Sequence, residues 1–216
     1  MVRVKICGVT NLDDALLATE AGAWALGMIF APVSERRCEV AEAERIADEL
    51  RRRVEVTGVF ANASLDELAA IADACSLSVV QLHGDEGPAY CTEVARRTGA
   101  KVMKAVRARD KASVRALLAY RDRVDFHMID AYVPDKLGGT GETFAWELAK
   151  ERAESHVPLV LSGGITPDNV GDAIAAVRPF AVDSASGTEA APGRKDPAKV
   201  AALIRAVEQA SARVPA

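Results

Sequence analysis

The sequence is poor in the residues that build metal and redox sites. It has four cysteines and three histidines in 216 residues. Cys7, Cys38, Cys75 and Cys91 form no Cys-x-x-Cys pair, which excludes the usual zinc spacings. So few cysteines make no disulfide framework and are read as free thiols. Long apolar runs are missing too. The longest charge-free stretch, Ala21 to Ser34, has fourteen residues, short of the roughly 20 that a membrane-spanning helix needs. The opening Met1-Val2-Arg3-Val4-Lys5 shows no apolar signal core or cleavage site, so a cytoplasmic protein without a membrane partner is expected. There is no positive excess either: 27 basic against 31 acidic residues give a net charge of −4. Nucleic acid is therefore not expected as a partner. The densest basic spot, Arg51-Arg52-Arg53, reads as the cationic last turn of a helix.

Half of the chain is apolar and 27% is charged, a balance that supports a sizeable core and excludes disorder. One unit recurs along the chain: a short apolar run, a turn, then a helical pattern. Strands are expected at Val2–Cys7, Ala25–Phe30, Val54–Phe60, Ser78–His83, Lys101–Val106, Val124–Asp130, Pro158–Ser162 and Phe180–Asp183. Between them run stripes of period 3.6, such as Ala43, Ile46, Ala47 and Leu50, or Val200, Leu203, Ile204 and Val207. Further helices are expected after Asn11, after Ser64, around Ala89 to Arg97, around Ser113 to Tyr120 and through Val170 to Val177. Ser64 to Glu67 reads as a capping box. Thr166-Pro167 reads as a cap followed by proline at the first helical position. Gly22 and Gly99 mark helix ends.

Strict alternation of strand and helix means parallel strands joined by helical crossovers. Eight such units predict a single-domain α/β protein, a (β/α)8 TIM barrel over residues 1–216. An open doubly wound sheet is the alternative, weakened by the lack of a Gly-x-Gly-x-x-Gly after the first strand. The one long connection is Ala131 to Thr143, which contains Gly138-Gly139-Thr140-Gly141 and reads as a candidate cover for the site.

In such barrels the chemistry lies at the carboxyl ends of the strands. Alternation along the first strand turns Arg3, Lys5 and Cys7 inward, with Cys7 at the rim. The sixth strand ends at Asp130, above Phe126 and Met128. A thiol and a carboxyl at one rim can divide base and acid work, although Cys7 is equally readable as a small buried hydrophobe and Asp130 as a cap. Leu161-Ser162-Gly163-Gly164-Ile165 and Asp183 to Thr188 follow strands seven and eight, where barrels commonly hold phosphate on bare backbone N–H groups. Arg36 and Arg37 follow strand two, and an arginine there can grip a carboxylate through two parallel bonds. His83 ends strand four as a candidate acid or base, and Asp183 ends strand eight as a polar orienter. Cys38, Cys75 and Cys91 read as packing residues.

Six motifs occur in order: Lys5-Ile6-Cys7-Gly8-Val9-Thr10, Gly27-Met28-Ile29-Phe30, Val80-Gln81-Leu82-His83-Gly84, Asp130 followed by Gly138-Gly139-Thr140-Gly141, Leu161-Ser162-Gly163-Gly164, and Asp183 through Glu189. Together they resemble the phosphoribosylanthranilate isomerase family of tryptophan biosynthesis, from about Val2 to Arg205. The resemblance implies an isomerase that converts N-(5′-phosphoribosyl)anthranilate to the carboxyphenylamino-deoxyribulose phosphate by an Amadori rearrangement. It implies no cofactor and no metal, and a small phosphosugar as the partner. Cys7 then matches the general base and Asp130 the general acid. Arg36 matches the residue that binds the anthranilate carboxylate, and Asp183 an aspartate beside the substrate. Gly163, Gly164, Ala185 and Ser186 match the phosphate-binding backbone. Monomer and homodimer both suit a barrel of this size.

Overall fold

The structure is a computed structural model and describes residues 1–130, 146, 148–152 and 155–213. Eight parallel strands close on themselves in sequential order: β1 (Arg3–Cys7), β2 (Ala25–Ile29), β3 (Glu55–Phe60), β4 (Val79–Leu82), β5 (Lys101–Arg107), β6 (Phe126–Asp130), β7 (Leu159–Ser162) and β8 (Ala181–Ser184). Closure comes from β1 pairing β8, with Lys5 beside Asp183 and Ile6 beside Ser184. Closure leaves no open edge, so the barrel replaces the doubly wound alternative. The eight predicted strands all form, each within a residue or two of its expected bounds.

Among the described residues seven α-helices surround the barrel: α1 (Leu12–Glu20), α2 (Val40–Leu50), α3 (Leu65–Ala74), α4 (Pro88–Thr98), α5 (Lys111–Arg115), α6 (Val170–Val177) and α7 (Pro197–Arg213). The stripes read from the sequence are the buried faces. Ala43, Ile46, Ala47 and Leu50 are buried on α2, and Val200, Leu203, Ile204 and Val207 on α7. The segment expected around Ser113 to Tyr120 is split into α5 and a 3-10 turn, Ala116–Tyr120. Gly99 ends α4 in the left-handed conformation.

Two capping expectations need correction. Ser64 Oγ accepts from the Glu67 N–H, so the hydroxyl half of the box is in place; the complete reciprocal box is at Asp110 and Ser113 instead. Thr166-Pro167 does not open α6. Those residues form a turn closed by the Val170 N–H on the Thr166 carbonyl, and the helix begins three residues later at Val170 with Asn169 as its cap. Asn169 turns its side chain back to accept from the Thr166 N–H. A short polar side chain offers the backbone this local bond in competition with the helix.

Two packing layers result. Val4 and Ile6 belong to the cluster between barrel and helices. The inward-facing Val79, Met103, Phe126, Met128, Val160 and Ala181 fill the barrel interior. At the amino end Trp24 and Phe180 pack against Phe126 and against each other, edge-on or tilted at 5.3–5.6 Å between centroids, and the Arg3 guanidinium lies 4.3 Å from the Phe180 ring centroid. The amino end of the barrel is thus closed by aromatic packing. The polar residues gather at the other end. The expected long connection, Ala131 to Thr143, lies outside the described residues.

Candidate active site

Cys7, the last residue of β1, is buried, as are the other three free cysteines. Alternation places it two residues above Lys5 on the inward face, as the sequence predicts. The neighbouring strand makes room for both. A side chain at Gly27 of β2 would sit 2.7 Å from Cys7 Sγ and 2.9 Å from Lys5 Nζ. Glycine is the residue that lets these two groups occupy the same corner.

Lys5 is fully buried and donates to Asp183 Oδ1 at 2.7 Å. Asp183 Oδ2 accepts from Ser162 Oγ at 2.9 Å, which ties the ends of β7 and β8 together. Burial works against the Lys5 ammonium, but the Asp183 carboxylate and the Cys7 sulfur outweigh it and hold its pKa above the usual lysine value. Removing one partner of such a buried pair typically costs about 3–5 kcal/mol, because the other charge is left without compensation. The Cys7 thiol is pushed up, mainly by burial; Lys5 and Lys195 act in the opposite direction and Asp183 reinforces the rise.

Asp130 ends β6 and points into the same cavity. His83 Nε2 lies 3.4 Å from Asp130 Oδ2. His83 Nδ1 is 3.0 Å from Gln81 Nε2. If the amide nitrogen donates there, the imidazole proton sits on Nε2 and faces the carboxylate. Gln81 contributes a buried Oε1 with no hydrogen-bond partner among the described residues, a polar atom at the cavity wall.

A cavity of about 490 Å³ collects these groups. Cys7, Arg36, Gln81, His83, Asp130, Ser162, Gly163, Gly164, Asp183, Ala185 and Ser186 all line it. Cys7, Asp130, Arg36, Asp183 and the loop residues Gly163, Gly164, Ala185 and Ser186, all singled out in the sequence, therefore meet in one hollow. Gly163 and Gly164 turn with φ of 96° and 66°, which carries their backbone across the top of β7. Arg37, the other arginine after β2, is half exposed and lies 4.0 Å from Glu39; it is not among the lining residues.

The sequence left two contributors unassigned. Glu189 and Lys195 belong to a small antiparallel hairpin, β9 (Glu189–Ala191) and β10 (Arg194–Lys195). Arg36 donates to Glu189 from Nε at 2.9 and 3.0 Å and from Nη2 at 2.9 Å. Lys195 Nζ donates to the carbonyls of Cys7 at 2.6 Å and Ala185 at 3.1 Å, and to Glu189 Oε1 at 3.2 Å. Burial lowers the Lys195 pKa despite these partners. Burial opposes the Glu189 charge, but Arg36 and Lys195 prevail and hold its carboxyl below the ordinary range. Glu189 closes the last of the six sequence motifs, which gives it no role of its own, and no local signal distinguishes Lys195 from a surface charge.

Cys38, Cys75 and Cys91 pack among apolar side chains, and burial pushes their thiols up to about 12, 11 and 11. They are packing residues, as expected.

Fold and site together define a (β/α)8 barrel enzyme whose reactive side chains converge at the carboxyl ends of the strands. Comparison with known proteins narrows the class. The family model described as N-(5'phosphoribosyl)anthranilate (PRA) isomerase matches residues 4–206. The N-(5'-phosphoribosyl)anthranilate isomerase of Citrifermentans bemidjiense is 51% identical over 204 residues, covering 94% of this chain and 96% of the relative. The crystal structure of the Thermotoga maritima enzyme superposes with a TM-score of 0.88 at 42% identity, over 97% of this chain and 100% of that one. A further crystal structure of a phosphoribosyl anthranilate isomerase was solved in complex with reduced 1-(o-carboxyphenylamino)-1-deoxyribulose 5-phosphate. It has a TM-score of 0.86 at 39% identity, over 97% of this chain and 100% of that one. The chain belongs to the N-(5'-phosphoribosyl)anthranilate isomerase family, and it is an isomerase.

Proposed function

We propose that this protein, acting as one barrel domain over residues 1–216, isomerises N-(5′-phosphoribosyl)anthranilate to 1-(2-carboxyphenylamino)-1-deoxyribulose 5-phosphate in tryptophan biosynthesis, with Cys7 as general base and Asp130 as general acid. The observation that carries the assignment is the shared cavity: Cys7 from β1 and Asp130 from β6 both line it, and Gly163, Gly164, Ala185 and Ser186 line it too. Backbone N–H groups of those four residues hold the substrate phosphate. Arg36, rather than Arg37, grips the anthranilate carboxylate, because Arg36 is the one that lines the cavity.

The steps balance without an outside reactant. Asp130, protonated, gives its proton to the furanose ring oxygen as the C1–O bond breaks, leaving an iminium between C1 and the anthranilate nitrogen. Cys7 removes the proton from C2, and the C2–H electrons form the C1–C2 double bond of an enolamine as the iminium is neutralised. Tautomerisation, with C2 hydroxyl oxygen becoming the ketone and C1 gaining a proton, gives the product. The iminium also answers the raised thiol pKa, since a positive charge beside the sulfur favours the thiolate. Asp183, fixed by Lys5 and Ser162, lies beside the substrate as a polar orienter. A tryptophan-pathway enzyme with no membrane-crossing helix among its described residues suits the cytoplasm.

The test follows the loss of substrate fluorescence in wild type and in Cys7→Ala. General base catalysis contributes about 10²–10⁴-fold, so kcat falls by that order while substrate binding persists. A variant with wild-type turnover removes Cys7 from the mechanism. Substrate binding by the wild type without turnover would make this a sugar-phosphate-binding barrel instead.

A further inference from the structure

The Arg36 guanidinium has five N–H donors in a rigid plane. The edge formed by Nε and Nη2 is spent on Glu189, through contacts of 2.9, 3.0 and 2.9 Å. That bidentate grip fixes the plane of the group, and with it the direction of the remaining N–H bonds. Arg36 lines the cavity while the Glu189 side chain beneath it is only 5% exposed. The stem is guided as well. It crosses the end of β1, where a side chain at Gly8 would sit 2.8 Å from Arg36 Cδ and 3.4 Å from Glu189 Oε1.

Glu189 is itself held. Lys195 Nζ at 3.2 Å and the Gly193 N–H at 3.2 Å both reach its Oε1. Lys195 in turn donates to the Cys7 and Ala185 carbonyls. One buried network thus joins the ends of β1 and β8, the hairpin β9–β10, and Arg36 in the connection after β2.

We infer that Glu189 is a positioning residue for substrate selection: it locks the guanidinium of Arg36 so that its free edge meets the substrate's aryl carboxylate, and the Glu189–Lys195 hairpin thereby sets the preference for a carboxylated aminosugar phosphate. This rests on the role proposed above for Arg36. Without the lock the long arginine side chain samples other rotamers, and ordering it falls on the binding step. The loss therefore appears in the recognition of the carboxylate and not in proton transfer.

The experiment compares N-(5′-phosphoribosyl)anthranilate with N-(5′-phosphoribosyl)aniline, which lacks the carboxylate. Both substrates need the same proton transfers, so any disturbance of Cys7 through Lys195 cancels in their ratio. For Glu189→Gln the KM of the carboxylated substrate rises by about two- to tenfold, kcat stays close to wild type, and the KM of the aniline substrate does not move. Glu189→Asp, which keeps the charge but withdraws it by one methylene, falls between and serves alone if the glutamine variant does not fold. Arg37→Ala leaves both substrates unaffected. An equal rise for both substrates, or no rise for either, overturns the inference. Arg36→Lys separates the two levels: if it preserves discrimination, the role of Arg36 fails; if it loses discrimination and the Glu189 variants retain it, this inference alone fails.

Discussion

The same eight strands end in two different materials. At their amino ends Trp24, Phe126 and Phe180 interlock and Arg3 lies over Phe180. At their carboxyl ends the interior holds Cys7, the Lys5–Asp183 pair, Asp130 with His83, and the Arg36–Glu189–Lys195 network. The first end gains from area removed from water and tolerates exchange of one apolar group for another. The second end keeps several charges out of bulk water, where each is tolerated only because a partner is fixed against it. Folding and chemistry are thereby assigned to opposite ends of one barrel, and the two should break independently.

Replacing the proposed acid tests the upper end most severely. Asp130→Asn lowers kcat by about 10²–10⁴-fold and leaves the thermal midpoint close to wild type, measured by steady-state turnover and a melting curve. A normal rate would remove Asp130 from ring opening. The lower end gives the reverse result. Phe126→Ala opens a cavity beneath Met128 and costs about 3–5 kcal/mol in urea unfolding, with turnover per folded molecule unchanged. A selective loss of kcat there would mean that the two ends are coupled.

A third prediction uses the barrel wall between them. His127 of β6 is buried, its Nε2 lacks a hydrogen-bond partner among the described residues, and burial with Arg152 and His156 nearby pushes its pKa down to about 4. The unfolded chain takes up that proton near pH 6.5 and the folded one only near 4, so stability declines as pH falls through this window. The loss is on the order of 3 kcal/mol, complete below about pH 4. In His127→Asn that part of the acid sensitivity is gone; an unchanged slope of stability against pH would assign it elsewhere.

The Cys7 thiol gives a fourth, at the upper end. Since burial holds it protonated beyond the ordinary thiol range, its alkylation by iodoacetamide in the free enzyme accelerates with pH and shows no plateau near pH 8.5. A plateau at neutral pH would mean a resting thiolate. The smallest effect belongs to Arg3→Met. It removes a cation–π contact at an exposed rim and costs about 0.5–1 kcal/mol, without effect on KM.

Much of this was legible along the chain because it depends on neighbours in sequence. The period of 2 put Cys7 and Lys5 on one face of β1, and the period of 3.6 put Ala43, Ile46, Ala47 and Leu50 on one face of α2. The rule that barrels work at their strand ends then gathers Cys7, Asp130, Gly163, Gly164, Asp183, Ala185 and Ser186 from the order of the strands alone. The local pattern misleads where two local choices compete at similar energy, as at Thr166, where Asn169 takes the cap three residues on. It also leaves Arg36 and Arg37 open, of which Arg36 lines the cavity and Arg37 does not.

The sequence alone determined the alternation, the inward parity and the order of the strand-end motifs, since each follows from the backbone geometry of a few adjacent residues. Only the tertiary structure decided that Glu189 would meet Arg36 across 153 positions and Lys195 the carbonyl of Cys7 across 188. Such contacts carry no local period. They arise when barrel closure brings β8 beside β1 and water is squeezed from between charges that must then find one another.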